Sequence, residues 1–176
     1  MSMLARLFRP KAAADADPRE ALRPLWHRIV ALSRDPAFYR DDGVADSVPG
    51  RFDMISMLLA VVLLRLERDR VLAREGALLT ELFIEDMDGQ LRESGVGDVV
   101  VGKKVGKLVS VLGGRLGALR EARASGERAT LEATLARNVT MQDGRGTEAL
   151  AARLQAFDDQ VAALDSKTLL AGGLSL

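Results

Sequence analysis

Apolar residues recur at helical spacing along most of the chain, and polar segments divide them into six stretches. The first predicted helix begins at Pro18, with Asp17 as N-cap and Glu20 as capping-box partner. It should end near Asp35-Pro36, because a residue that precedes proline disfavours helical angles. The aperiodic stretch 37–50 predicts an ordered loop.

The second predicted helix, 51–73, is apolar on most faces, which is typical of a helix at the centre of a bundle. Its longest apolar run, 54–64, is shorter than the about 20 residues that a membrane span needs. We therefore expect this run to be buried in the protein. A third helix over 75–93 should end at the Ser94-Gly95 pair.

A fourth helix is predicted over 99–124, with Asp98 as its cap, although a strand at 99–101 stays open. It holds glycine pairs at 102 and 106 and at 113 and 117, each pair on one face. Interior glycines cost about 1 kcal/mol each against alanine, so close approach of another backbone is the favoured explanation. A kink near residues 113–114 is the alternative. Shorter helices should follow near 127–138 and 147–165.

These elements predict an all-α fold, a single-domain bundle of about six helices over 18–170. Residues 1–17 are predicted to form a flexible tail, with a short amphipathic segment that touches a membrane as the alternative. Residues 171–176 should form a frayed tail.

Composition narrows the function classes. Basic and acidic residues both number 25, so no global basic excess indicates nucleic acid, and DNA is not expected as a partner. Cysteine is absent and His27 is the only histidine, which excludes thiolate catalysis and leaves a histidine-based triad without obvious partners. No cofactor or metal is predicted. The first 17 residues lack the features of a secretory signal, and a cytoplasmic protein is expected.

Two neighbouring segments carry opposite charge. Residues 81–98 hold six acids against Arg92, and residues 99–123 hold six bases against Glu121. Asp86 and Asp88 are two apart and point in different directions on a helix, which disfavours a metal site. Residues 95–97 do not form a phosphate-binding loop, because the Lys-Ser or Lys-Thr ending of such a loop is missing. Acid–base catalysis is also not indicated, because it needs two carboxylates that converge on a substrate, and the sequence shows no such pair. An acidic surface is favoured, and the basic helix either pairs internally or faces a protein, a membrane or ribosomal RNA.

Three segments resemble one known family. Residues 37–66 contain an aromatic pair, a Gly-Val-x-Asp turn and an Arg-Phe-Asp motif that begins an apolar helix. Residues 82–108 carry the most specific signature of the family, and residues 114–138 show a weaker resemblance. The quoted motifs are Phe38-Tyr39, Gly43-Val44-Ala45-Asp46, Arg51-Phe52-Asp53, Asp86-Met87-Asp88, Leu91-Arg92-Glu93, Gly95-Val96-Gly97-Asp98, Lys103-Lys104, Gly114-Arg115 and Leu135-Ala136-Arg137-Asn138. The chain thus resembles the ubiquinol–cytochrome c chaperone family, in its bacterial branch. Leu58 stands where the family usually has histidine, and Gly113 and Leu119 replace its aromatics.

The resemblance implies a non-catalytic assembly chaperone that binds cytochrome b, or an early intermediate of the ubiquinol–cytochrome c reductase. It also implies a small co-chaperone and a peripheral contact with the ribosome or the inner face of the membrane. A general helical interaction module for another membrane or ribosomal partner is the alternative. The expected partner-binding residues are Asp86, Asp88, Arg92, Asp98, Lys103, Lys104, Lys107 and Arg115. Internal ion pairs that hold loops between helices are the competing interpretation for Arg51, Asp53, Asp86, Arg92 and Asp98.

Overall fold

The computed structural model describes residues 17–93, 95 and 98–176, except for the side chains of residues 98 and 99. Within these residues the chain is all-α, as predicted, and short 3-10 turns precede the first and fourth helices. The helices are α1 (Arg23–Ser33), α2 (Pro36–Arg40), α3 (Val48–Glu67), α4 (Ala73–Glu93), α5 (Asp98–Ser125), α6 (Arg128–Asn138), α7 (Glu148–Ala163) and α8 (Ser166–Leu170). The six predicted helices are all present, and α2 and α8 are additional.

The start of the first helix follows the predicted N-cap but not the capping box. The Asp17 carboxylate accepts from the Arg19 backbone N–H at 2.9 Å. Glu20 instead accepts from the Arg23 side chain at 2.7 Å, and the first turn is 3-10 rather than α. The loop predicted over 37–50 is wrong in its first part. Pro36 begins α2 because it occupies a first-turn position that needs no N–H, and Asp35 caps the backbone N–H of Ala37 at 2.8 Å.

Helix α3 lies at the centre of the bundle, as the apolar pattern predicted. Its residues from Asp53 to Leu64 are all buried, and it packs against α1, α4, α5 and α7. The helix begins at Val48 rather than residue 51, because the Ser47 hydroxyl accepts from the backbone N–H of Gly50 and a proline occupies the first turn. No helix in the described ranges is long and apolar enough to cross a bilayer.

Helices α4 and α5 form a hairpin that packs on α3. Helix α5 is continuous from Asp98 to Ser125, so the strand at 99–101 is not formed. The explanation offered for its glycines is wrong. A methyl group added at Gly102, Gly106, Gly113 or Gly117 would meet nothing within 4 Å, so no described backbone lies close to them.

The C-terminal residues are docked on α1, so the prediction of a frayed tail is wrong. Leu174 is buried, and its carbonyl accepts a hydrogen bond from the Arg28 side chain at 2.8 Å. Gly172 allows the chain to turn back with a φ of 82°, and a Cβ there would lie 2.9 Å from the carbonyl oxygen of Pro24. The predicted flexible tail at the other end lies outside the described residues, apart from Asp17.

Candidate partner-binding surfaces

The acidic residues of α4 occupy different environments. Glu85 pairs with Arg19 at 2.8 Å and with Arg23 at 3.4 Å, which links α4 to the first turn of α1 and the 3-10 turn before it. Asp88 pairs with Arg92 one turn later, at 2.6 Å. Asp86 is half-buried in a groove of about 620 Å³ between α1 and α4, where no described residue forms an ion pair with it.

The basic residues of α5 divide into two groups. The arginines of its C-terminal half pair with other helices rather than with the acidic α4: Arg115 with Asp53, Arg120 with Glu67, and Arg123 with Asp158. The lysines of its N-terminal half, Lys103, Lys104 and Lys107, are exposed, and none forms an ion pair with another described residue. Internal pairing therefore accounts for the arginines and leaves the lysines on the surface.

Arg115 is not a surface residue, which corrects its place among the expected partner-binding residues. It is 5% exposed and donates to the carboxylate of Asp53, to the hydroxyl of Ser56 and, at 2.7 Å, to the carbonyl of Asn138. The second carboxylate oxygen of Asp53 accepts from both the backbone N–H and the hydroxyl of Thr140, at 2.8 and 2.7 Å. This buried network joins α3, α5 and the segment that follows α6.

The Gly-Val-x-Asp turn is held by the same segment. The backbone N–H of Ala45 donates to the Thr140 carbonyl at 2.9 Å, and that of Gln142 donates to the Gly43 carbonyl at 2.8 Å. Close packing also requires glycine at position 50, where a Cβ would lie 2.0 Å from the carbonyl oxygen of Ala45. These motifs therefore hold the turn between α2 and α3 against the segment after α6.

Two further ion pairs involve acidic residues of the turn between α2 and α3. Asp42, whose side chain is only 4% exposed, pairs with Arg153 of α7. Hydrogen bonding to Asp42 raises the pKa of the Arg153 guanidinium, so this cation stays charged at any ordinary pH. Arg51 pairs with Asp46 at 2.7 Å on the surface. The competing interpretation of internal pairing is thus correct for Arg51, Asp53 and Arg92. Asp86 forms no ion pair with a described residue, and the side chain of Asp98 lies outside the described residues.

A second concave surface was not predicted from the sequence. A groove of about 550 Å³ lies between α3, α5, α6 and α7. Its apolar lining comes from Val61, Leu119, Ala122, Leu131, Ala151, Leu154 and Ala162, and its charged residues are Arg68, Arg123, Arg128, Glu127, Asp158 and Asp159. Four helices contribute to the groove, so no single segment of sequence signals it. Its rim carries both signs of charge.

Among the described residues, no group of three or more histidine, aspartate or glutamate side chains is placed to hold a metal ion. Hydrogen bonds from Arg19 lower the pKa of the Asp17 carboxyl to about 2. Burial raises the pKa of Tyr39, whose hydroxyl donates to the Ser33 carbonyl at 2.6 Å. Both groups serve local structure at the ends of helices.

The described residues define a class of protein: a helical scaffold with charged and grooved surfaces around an apolar central helix. The model of the ubiquinol-cytochrome C chaperone family matches residues 40–176, and this chain belongs to that family. The chain is also similar to the Cbp3 homolog from Brucella abortus, whose crystal structure superposes with a TM-score of 0.76. The two are 29% identical over 89% of this chain and 88% of the other. No curated protein matches this chain.

Proposed function

We propose that this protein is a non-catalytic assembly chaperone of the ubiquinol–cytochrome c reductase, and that its client is cytochrome b or an early intermediate that contains it. The observation that carries the proposal is the family match over residues 40–176. The similarity to a Cbp3 homolog over most of both chains supports it. The protein would act on the cytoplasmic side of the membrane, together with a small co-chaperone where the organism has one.

The client contact that we propose is the groove between α1 and α4, which contains Asp86, together with the exposed charges of α4. Asp88 and Arg92 lie further along α4, and the three lysines of α5 form a separate surface. Asp86 is the most informative of them, because no described residue pairs with it and its groove is open to a partner. A charge there would cost less to bury if the client supplied a cation. Asp98 is a further proposed contact, from the sequence alone.

The direct experiment is deletion of the gene in the source organism, followed by quantification of cytochromes b and c and of the reductase subunits in membranes. Selective loss of cytochrome b and of the assembled reductase, restored by the wild-type protein, is the expected result. Normal reductase levels in the deletion strain would refute the proposal and favour the alternative, a general helical interaction module.

Variants then locate the contact. Asp86→Lys should fail to restore the reductase at normal levels of the protein, whereas Asp143→Lys should restore it. Asp143 is exposed in the turn before α7 and has no ion pair among the described residues, so the two variants make the same change of charge. Restoration by both variants would exclude the groove that contains Asp86 as the contact.

The groove between α3, α5, α6 and α7 is tested by a separate pair of variants. Ala162 lines it and the neighbouring Ala163 does not, although both are exposed near the end of α7. Ala162→Glu places a charge in the groove, and Ala163→Glu is its matched control. If the client binds the groove between α1 and α4, both variants should restore the reductase. Failure of Ala162→Glu alone would move the contact to the groove between α3, α5, α6 and α7.

A further inference from the structure

One face of α5 carries its three lysines and an exposed valine. Val100, Lys103, Lys104 and Lys107 have the i, i+3, i+4, i+7 spacing that places side chains on the same side of a helix. All four are exposed, and Val100 is 47% exposed, one of few large apolar side chains on the surface of the described chain. We call these four residues the lysine face.

The lysine face is not balanced by charge within the described structure. The arginines further along α5 each have a carboxylate partner on another helix, but the lysines have none among the described residues. Lys103 and Lys107 are four apart, and like charges at this spacing repel and destabilise a helix. On the neighbouring helix α4, Asp88 already forms an ion pair with Arg92. The face is therefore electrostatically complementary to an external anion.

We propose that the lysine face binds the anionic lipid headgroups of a bilayer. This inference rests on the proposed function in one respect: a chaperone of a membrane-protein client works beside a membrane. Lysine-rich clusters that flank a small apolar residue suit a lipid surface, where the ammonium groups reach headgroups and their aliphatic stems and the valine meet the interface.

Two other anionic partners fit less well. Protein interfaces are depleted in lysine and usually centre on aromatic or arginine anchors, and the lysine face has neither. Single-stranded RNA is bound through stacking on aromatic side chains, which are absent from this face.

The test is partitioning of the full chain onto sedimented vesicles of phosphatidylcholine, with and without phosphatidylglycerol, at low and high salt. Each lysine near an anionic surface contributes about fivefold to partitioning, so Lys103→Gln, Lys104→Gln and Lys107→Gln together should lower it by roughly a hundredfold. The matched control is Arg70→Gln, Arg74→Gln and Lys167→Gln, which removes the same charge from exposed residues without a described ion pair. The control should partition like the wild type.

Several outcomes would overturn the proposal. Equal partitioning of the wild type onto neutral and anionic vesicles is the first, and an equal loss in both triple variants is the second. A third is binding that survives the lysine substitutions and disappears when Arg6, Arg9 and Lys11 are neutralised. A fourth is loss of ribosome co-sedimentation by the lysine variant with unchanged vesicle binding. The vesicles contain no client, so failure here is distinct from failure of the proposed function, which is scored by reductase levels.

Discussion

Replacing Asp53 by alanine leaves the guanidinium of Arg115 in the protein interior without its carboxylate partner. Both residues are nearly inaccessible, with 6% and 5% of their surface exposed. Removing one partner of a buried ion pair costs about 3–5 kcal/mol of unfolding free energy. The two hydrogen bonds from Thr140 are lost as well, which favours the upper part of that range. For a domain of this size the loss corresponds to a fall in Tm of roughly 6–20 °C.

The assay is urea denaturation followed by circular dichroism, for the variants Asp53→Ala and Arg115→Met and for the double variant. Neighbours in one network are coupled, so the double variant should be more stable than the sum of the single effects predicts, by about 1–3 kcal/mol. Glu67→Ala is the matched control, because Glu67 also links α3 to an arginine of α5, at 2.8 Å. That pair is about half exposed, so its loss should cost less than about 1 kcal/mol.

The reasoning would be refuted by a loss of less than about 1 kcal/mol in Asp53→Ala, since no buried charge would then be left unpaired. Additive effects of the two single substitutions would refute it as well, because they would show that the residues do not interact in solution. A change in the m-value of Asp53→Ala alone would instead indicate a change in the surface exposed on unfolding.

Three further predictions follow from single contacts. Gly113→Ala should raise the unfolding free energy by about 0.5–1 kcal/mol in the same assay, because space for the methyl group is open; a loss of stability would show a backbone close to it. Leu174→Ala should lower it by about 2–5 kcal/mol, whereas a neutral effect would indicate a frayed tail. In carbon-detected NMR the Asp17 carboxyl should titrate with a pKa of about 2, and Arg19→Ala should return it toward 3.8. Because the pKa of Asp17 is lower in the folded state, its contact with Arg19 stabilises the folded protein above about pH 4, and this stabilisation is lost as the pH falls through about 2. An unchanged pKa of Asp17 in Arg19→Ala would show that Arg19 does not lower it.

Helical periodicity was sufficient to predict the long elements, because it depends on local spacing alone. The buried run in α3 and the inward residues Leu79, Leu82 and Phe83 of α4 follow from that spacing. The short α2 and α8 were missed, since five residues give too little periodic signal. The docked C-terminus was missed for a different reason. A Gly-Gly-Leu segment has no pattern of its own, and its position depends on Arg28 and Pro24, far away in sequence.

The candidate surfaces likewise combine features that are local in sequence with contacts that depend on the fold. The sequence located the charged segments on α4 and α5 but could not assign their partners. Arg115 and Asp53 are 62 residues apart, and their contact exists only once α5 packs on α3. The acidic segment that precedes α5 was the nearest candidate along the chain, yet the arginines pair with α3 and α7. Pairing across a bundle is set by helix packing, which charge order along the sequence does not encode.

The difference between buried, paired residues and residues without a described ion pair affects how genetic data on the protein should be interpreted. The motifs around Asp53 and Asn138 stabilise the bundle, so their substitution would deplete the reductase through loss of the protein itself. The lysine face and Asp86 carry no described internal ion pair, and substitutions there should leave folding intact. A loss of function at these positions with normal protein levels therefore reports on a partner. A loss at the buried network reports on stability until the abundance of the variant has been measured.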